Sequence, residues 1–500
     1  MRSTRLAVLL LALALVVPTT AALAQRRGTQ RGRANASATA QRGGQLPPLQ
    51  ITQFTLPNGL NVILHPDRST PIVAVNVWYH VGSKNEEKGR TGFAHLFEHM
   101  MFQGSKNFNS DFFSPLQEVG AQINGSTNND RTNYFEVVPS NFLELALFLE
   151  ADRMGGLLEA MTEEKLANQR DVVKNEKRQR LDNQPYGIAQ SKISQAMYPA
   201  DHPYSWLVIG SMEDLTAASM EDVKNFFRRY YVPNNASLTI AGDFDPAQAR
   251  RLVEKYFGSI PRGQDVRKMA VNIPALDREI RLQEEDRVSL PRVYLNWHTP
   301  QRFTQDDAAL DILASVLASG KGSRLYKSLV YDKQIAQDVS AFQNSREISS
   351  TFAVVSTAKP GKTLAEIEAA IQAELEAIKA APPTAEEVER AYNEYEAGYI
   401  YGIQTVLGKA EQLNGYHTYV RKPDYFRQDL ARYRAVKPAD VQRVAKRFLT
   451  DKRVVMNVVP RGPQNKGGGD PSASAAGPKQ AAASVPSPQA AGTAPRTAPG

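Results

Sequence analysis

This chain of 500 residues contains no cysteine and only seven histidines. Without cysteine it forms no disulfide, although compartments outside the cytoplasm permit them. Beyond its N-terminal region the chain also lacks an apolar run long enough to cross a bilayer, which takes about 20 residues. These absences exclude a fold held by disulfides and a membrane span downstream of the N-terminus.

The first 24 residues have the pattern of a secretory signal peptide. Arg2 and Arg5 form the charged start, Leu6–Val17 the apolar stretch, and Ala22-Leu23-Ala24 a small-x-small cleavage site. We therefore expect export with cleavage after Ala24, and a retained N-terminal anchor is the alternative. Export together with the absence of cysteine indicates a bacterial periplasm.

Two further segments have compositions that favour disorder. Residues 25–49 contain five arginines and no acid, and residues 461–500 are mostly Ala, Pro, Gly, Ser and Gln. Neither segment can bury enough apolar surface to offset the loss of chain entropy. We expect a basic linker and a C-terminal tail. We attribute much of the net charge of +8 to these tails and not to a nucleic-acid-binding surface.

Residues 95–99 read His-Leu-Phe-Glu-His. On a helix His95 and His99 lie one turn above each other on one face, where two neutral imidazoles can hold one zinc ion. Glu98 lies on the same side, close enough to handle a proton of a water at that metal. The order H-x-x-E-H is the inverzincin signature.

A pentapeptide with three fixed positions also occurs by chance, so the alternative is a helix whose polar face carries two His and a Glu. Apart from these three residues, the surrounding run 92–102 is apolar at nearly all positions. A helix that is apolar around most of its surface is buried. Buried His and Glu need partners or a metal. The sequence therefore favours a zinc peptidase.

About 410 residues remain outside the tails, which is too many for one core and suits two domains. These residues form a two-fold repeat in which a β-rich run precedes a helix and a glycine. The matching segments are Ile72–His80, the motif helix and Gly104 in the first half, and Val293–His298, Ala308–Ala318 and Gly320 in the second. Strands mixed with helices, without strict alternation, predict α+β domains.

When the two glycines are aligned, the second half carries Asp311, Ala314 and Ser315 where the first half carries its motif residues. The second copy therefore cannot hold a metal in the same way. We predict a zinc-binding domain at 50–265, an interdomain linker at 266–288 and an inactive repeat domain at 289–460.

A catalytic zinc site takes three protein ligands and keeps one position open. His65 and His80 precede the motif in strands or loops and are expected to be ordinary residues. The candidate third ligand is Glu176, within the charged segment Arg170–Arg178.

The motif combined with Glu176 resembles the pitrilysin family of zinc metallopeptidases, which includes insulinase-like and mitochondrial-processing-peptidase-like enzymes. The similarity continues in Asn-Gly-Ser-Thr-Asn-Asn-Asp-Arg-Thr-Asn-Tyr at 124–134, His-Pro-Tyr at 202–204 and Tyr-Val-Pro-Asn-Asn at 231–235. It extends over residues 50–460. The resemblance implies two homologous α/β-sandwich domains, which make half of the clamshell that longer members build from one chain.

By this resemblance, His95, His99 and Glu176 bind one zinc ion per chain, and Glu98 is the general base of a metalloendopeptidase. The substrate implied is a short unstructured peptide, since only an extended chain reaches an edge strand inside a closed chamber.

The resemblance also implies that an edge strand at Asn124, Gly125 and Ser126 pairs with the extended substrate backbone. Asn124 as an ordinary turn residue is the alternative for this segment.

The sequence departs from the family pattern at three positions. Gln169 stands where an acidic residue usually supports the metal site, and its effect on metal binding is left open. Val330 and Gln337 stand where the family's second half usually carries an Arg and a Tyr that bind substrate and stabilise the oxyanion. Neither residue replaces those donors well.

Two interpretations follow from the missing Arg/Tyr pair. In the first, the chain is a catalytically weak or inactive protein, such as a scaffold or peptide-binding subunit. In the second, it is the zinc-bearing subunit of a heterodimer. In the heterodimer, a homologous partner without H-x-x-E-H supplies the pair. We favour the heterodimer over a homodimer, because a self-paired dimer has two zinc sites and no such pair.

Overall fold

The computed structural model describes residues 49–267, 269 and 273–461. The signal peptide predicted at 1–24 lies outside these residues, as do nearly all of the linker at 25–49 and of the tail at 461–500. None of the helices in the described ranges is long and apolar enough to cross a membrane.

In the part of the chain that the structure describes, two β-sheets, each covered by helices, form the core. Within these residues six strands make the first sheet and five the second. The strands are β1 (Thr52–Thr55), β2 (Asn61–Pro66), β3 (Ile72–Tyr79), β4 (Gln122–Thr127), β5 (Thr132–Pro139) and β6 (Ala236–Gly242), followed by β7 (Ile280–Asp286), β8 (Arg292–Thr299), β9 (Ala336–Asn344), β10 (Ser350–Ala358) and β11 (Val454–Pro460).

The two sheets have the same connectivity. Their strand orders are β1-β2-β6-β3-β5-β4 and β7-β11-β8-β10-β9. In each sheet one pair of neighbours is parallel, β2 with β6 and β7 with β11, and all other neighbours are antiparallel. This correspondence confirms the α+β class and the internal repeat, with β1 as an addition to the first copy.

The helices are, in chain order, α1 (Phe93–Met100), α2 (Phe113–Glu118), α3 (Leu143–Ala160), α4 (Glu163–Lys177), α5 (Ile188–Met197), α6 (Met212–Ala217), α7 (Met220–Tyr230), α8 (Pro246–Phe257), α9 (Asp307–Ala318), α10 (Leu364–Ala380), α11 (Ala385–Gly402), α12 (Val406–Val420), α13 (Phe426–Arg434) and α14 (Pro438–Phe448). Helix α1 contains the H-x-x-E-H motif and α4 contains Glu176.

The central strand β3 is buried on both faces, which explains its nearly continuous apolar sequence. Val73, Val75 and Val77 join the core that contains α1, α3 and α7. Ala74, on the opposite face, packs against Val406 of α12. The first sheet therefore has the motif helix on one face and a helix from the second half of the chain on the other.

The second sheet receives a helix from the first half in return. Its outer face packs Met456 and Val458 of β11 against Ile193 and Met197 of α5. The inner face packs against α9, α10 and α14. Each half of the chain thus covers one sheet face of the other half, and this exchange joins the two halves.

The structure corrects the predicted linker at 266–288. Ile280–Asp286 forms strand β7, which pairs in parallel with β11, so the second sheet begins before the predicted domain start at 289. Only alternate residues of β7 are partly covered, because the strand lies at the edge of the sheet. Its many charges suit an edge strand, and because of these charges the segment was predicted as a linker and not as a strand.

Candidate metal centre

Helix α1 begins at a backbone position that requires glycine. Gly92 has a φ of 90°, and a Cβ there would lie 2.7 Å from the carbonyl oxygen of Ile209. The next residues enter the helix under the control of Glu86, whose carboxylate accepts hydrogen bonds from the N–H of Gly92 (3.0 Å) and Ala94 (2.8 Å). Trp206 donates its indole N–H to the same carboxylate at 3.0 Å.

These contacts fix the start of the motif helix and satisfy its first free N–H groups. Burial raises the pKa of Glu86 to about 8, so the contacts are hydrogen bonds and not an effect of negative charge. The apolar side of α1 is fully used for packing, with Phe97 stacked on Phe226 and Tyr231. His95 and His99 occupy the remaining face.

The structure brings the three candidate ligands together. Nε2 of His99 lies 3.2 Å from Oε2 of Glu176, and Nε2 of His95 lies 3.7 Å from the same oxygen. One donor atom from each of the three residues lies within 4.8 Å of the others. Glu176 reaches this position because α4 packs directly against α1.

The two separations from Glu176 to the histidines, 3.2 and 3.7 Å, fit a shared metal ion better than direct ion pairing. Ligands at about 2.1 Å from a tetrahedral zinc lie roughly 3.4 Å from each other. A charge-assisted hydrogen bond between imidazolium and carboxylate is shorter, about 2.7–2.9 Å. The donor set of two imidazole nitrogens and one carboxylate oxygen is one that catalytic zinc uses, so these residues fit the ion.

The electrostatics of the site favour the protonation states that bind metals. Burial lowers the pKa of His95, and this lower pKa favours the neutral imidazole. The nearby charge of Glu98 acts in the opposite direction but is the smaller effect. Burial alone would raise the pKa of Glu176. The contact with His99, the positive charge of the two imidazoles in their protonated form and the charge of Arg180 outweigh burial and lower this pKa to about 2.

Glu98 lies between the motif helix and the edge of the first sheet. Its side chain is buried, and a Cβ added to Gly125 of β4 would lie 3.1 Å from Cγ of Glu98. Strand β4 is the outermost strand of its sheet in the described residues. The candidate general base is therefore positioned beside an edge strand with an open backbone edge.

The three residues predicted to bind substrate differ in their roles within β4. Gly125 faces α1, so Asn124 and Ser126 face the other side of the sheet. Asn124 accepts the N–H of Gly125 on its side-chain oxygen at 2.8 Å, which satisfies this backbone donor from within the strand. Arg131 donates to both the carbonyl and the hydroxyl of Ser126.

Other residues singled out in the sequence have different partners. Gln169 is buried and donates its amide to Asn168 (2.9 Å). His65 contacts the carbonyl of Gln50 at 2.9 Å, and His80 contacts Glu347 of the second half at 2.7 Å.

The second copy of the site carries hydrogen bonds between side chains. Asp311 accepts from the hydroxyl of Tyr433 at 2.7 Å, and Ser315 donates to Glu394 of α11 at 3.0 Å. In the repeat α9 and α11 occupy the places of α1 and α4, so the Ser315–Glu394 contact replaces the His99–Glu176 contact. Ala314 offers no functional group where Glu98 stands in the first copy.

The two departures in the second half have ordinary surroundings. Val330 packs against the core of the second sheet, and Gln337 is exposed on β9. Valine has no hydrogen-bond donor in its side chain.

Sequence reasoning missed two residues that hold the site, Glu86 and Arg180. Arg180 forms an ion pair with Glu176, in which Nη1 lies 2.6 Å from Oε1. The helical spacing of four residues between Glu176 and Arg180 is the signal that could have found this pair. Nothing in the sequence around Glu86 marks its capping role.

Two family models match the chain. Residues 61–205 match the model described as insulinase (peptidase family M16), and residues 217–395 match the peptidase M16 inactive domain. Among the curated relatives, zinc protease PqqE of Helicobacter pylori is 30% identical over 408 residues, which are 79% of this chain and 90% of that protein.

Solved structures share the fold. A crystal structure of a protease from Helicobacter pylori superposes with a TM-score of 0.76 at 28% identity, covering 82% of this chain and 100% of that one. The periplasmic protease PqqL from Escherichia coli has a TM-score of 0.69 at 17% identity, covering 83% of this chain but 48% of the other. At 17% identity, the similarity to PqqL is evidence for a shared fold and not for a shared activity.

These matches confirm the resemblance drawn from the sequence: the chain belongs to the insulinase family of peptidases, family M16.

Proposed function

We propose that this chain is a zinc-dependent endopeptidase that is exported to the periplasm and hydrolyses short unstructured peptides. The observation that carries this proposal is the convergence of His95, His99 and Glu176, with Glu98 between that cluster and the edge strand. Relatives named as zinc proteases support it. The export signal read from the N-terminal sequence supports the location.

Each residue has a distinct task in this reaction. Bound zinc supplies Lewis acidity, which polarises the scissile carbonyl and acidifies a water. Glu98 takes the proton of the attacking water and delivers it to the leaving amine. The open edge of β4 pairs with the extended substrate, and the N–H of Gly125 becomes available when the Asn124 side chain turns away.

The chain acts, in this proposal, as the zinc-bearing subunit of a heterodimer. Val330 and Gln337 supply no good donor pair for the oxyanion, and loss of such donors costs roughly 10²–10³ in rate. A similar fold occurs within PqqL, a chain of which this one covers 48%. A homologous partner that lacks H-x-x-E-H but carries an Arg/Tyr pair would complete the site.

The test uses the purified chain and a quenched fluorescent peptide. We expect slow cleavage by the chain alone and at least a tenfold gain on adding the zinc-less homologue. Glu98→Gln should abolish the activity of the mixture while retaining zinc. Full activity of the chain alone would contradict the heterodimer.

A catalytically inactive scaffold or peptide-binding subunit is the alternative. Activity of the mixture that survives Glu98→Gln would support that alternative, because the hydrolysis would then belong to the partner.

A further inference from the structure

The two oxygens of the Glu176 carboxylate have different neighbours. Oε2 faces the imidazoles, 3.2 Å from Nε2 of His99 and 3.7 Å from Nε2 of His95. Oε1 is 2.6 Å from Nη1 of Arg180. The carboxylate is thus shared between the candidate metal position and a guanidinium.

We propose that Arg180 is a positioning residue of the metal centre, which holds Oε1 of Glu176 so that only Oε2 is presented to the ion. This inference rests on the proposed function only in assuming that the three ligands bind zinc, and it does not depend on peptide hydrolysis.

The local structure explains why a cation is needed here. Glu176 lies in the last turn of α4, where the helix dipole disfavours a negative charge and favours a positive one. The chain continues as a π-helical turn, Arg178–Asp182, which carries Arg180 back over the preceding turn. A Glu followed four residues later by a cation is also the favourable order for such a pair.

Burial separates this pair from an ordinary surface ion pair. The Arg180 side chain is 52% exposed, but that of Glu176 is only 14% exposed. Pairs in which both side chains are exposed are usually worth little. Here one partner is fixed within the helix interface, and the guanidinium restrains a side chain with several rotatable bonds.

Gln169 does not take the role of orienting the Glu176 carboxylate. It occupies the position where the family pattern places a supporting acid, but its amide donates to Asn168 of its own helix. Partners that orient metal-ligating carboxylates typically contribute 10–100-fold to metal affinity. Among the described lysines and arginines, Arg180 forms the ion pair with Glu176, so we assign the orienting role to it.

The test measures zinc affinity of the full chain by competition with a chromophoric chelator, without any peptide. Arg180→Gln should raise the zinc dissociation constant about 10–100-fold. Arg180→Lys should recover most of the loss, because an ammonium can still reach one carboxylate oxygen. Arg178→Gln is the matched control, because Arg178 lies in the same turn but donates to Asn175 (2.7 Å).

A second readout distinguishes positioning from a general structural effect. X-ray absorption of the zinc-loaded proteins should show an added oxygen neighbour in Arg180→Gln, since the freed carboxylate can bind through both oxygens. Equal zinc affinity and equal absorption spectra for Arg180→Gln and Arg178→Gln would overturn the proposal. A fall in the melting temperature of metal-free Arg180→Gln that parallels the lost affinity would also count against it. Loss of peptidase activity alone bears on the proposed function and not on this inference.

Discussion

Gly125 has no side chain at the point where strand β4 passes the candidate general base. A Cβ at this position would lie 3.1 Å from Cγ of Glu98 and 3.2 Å from ring carbons of Phe102 and Tyr134. The aromatic rings pack in the core and cannot move far, so Glu98 is the neighbour that must give way. The absence of a side chain therefore sets the position of the Glu98 carboxylate.

Gly125→Val should reduce the turnover number about 100-fold, because a displacement of roughly 1 Å at a catalytic group has an effect of that size. Zinc content should stay unchanged, since the three heavy atoms nearest to an added Cβ belong to Glu98, Phe102 and Tyr134 and not to a ligand. Peptide hydrolysis and metal analysis measure the two effects. Gly398→Ala is the control, because its added Cβ would meet no heavy atom within 4 Å. Wild-type turnover in Gly125→Val would refute this role of Gly125.

Sequence reasoning reached different residues of the site by different routes. His95, Glu98 and His99 follow from helical spacing alone, because one helix carries all three. Glu176 lies on another helix, so its role followed only from the family resemblance. The distances between these residues depend on how α1 packs against α4, which no local pattern contains.

At the scale of elements, the motif helix α1 depends on Glu86 for its start. The carboxylate accepts two backbone N–H groups and the indole N–H of Trp206, all within 3.0 Å. A buried donor left without an acceptor costs about 1–3 kcal/mol. Glu86 thus couples the stability of α1 to the loop that precedes it.

Glu86→Ala should lower the free energy of unfolding by about 2–4 kcal/mol, because it leaves more than one buried N–H without a partner. Chemical denaturation of the metal-free chain measures this change. Glu87→Ala is the matched control, because Glu87 is the exposed neighbour. If both variants unfold at the same denaturant concentration as wild type, Glu86 does not cap the helix.

The elements were predicted with unequal success for physical reasons. Ala308–Ala318 was predicted as the helix of the second half and forms α9, which starts one residue earlier at Asp307. Strand β7 was missed because a charged edge strand lacks the apolar alternation of a covered one. The exchange of α5 and α12 between the sheets was not predicted, because the sequence of a helix does not specify which of two sheets it covers.

At the scale of the whole molecule, a polar cluster joins the two halves beside the site. Glu347 of the second half contacts Lys84 (2.5 Å) and His80 (2.7 Å), which lie before α1. Its backbone N–H donates to Asp130, in the turn between β4 and β5. The cluster therefore connects the motif helix, the edge strand and the second half of the chain.

The stability of this junction should depend on pH through Glu347. Burial would raise the pKa of Glu347, but His80 and Lys84 outweigh burial and lower it to about 2. A carboxyl with a lower pKa in the folded than in the unfolded chain stabilises the fold above about pH 4.5, and this stabilisation is lost as the pH falls toward 2.

Glu347→Gln should therefore be less stable than wild type near neutral pH, and the difference should shrink below about pH 4.5. Urea unfolding at several pH values measures it. Glu389→Gln, an exposed carboxylate on α11, controls for the general loss of a negative charge. A stability difference that stays constant down to pH 3 would contradict the proposed contribution of Glu347.

The metal content of the purified chain tests the central claim most directly. After dialysis against trace zinc, we expect one zinc ion per chain in wild type and in Glu98→Gln, and well below one in His95→Ala, His99→Ala and Glu176→Ala. An absence of zinc from the wild type, or one zinc retained in the ligand variants, would contradict the account.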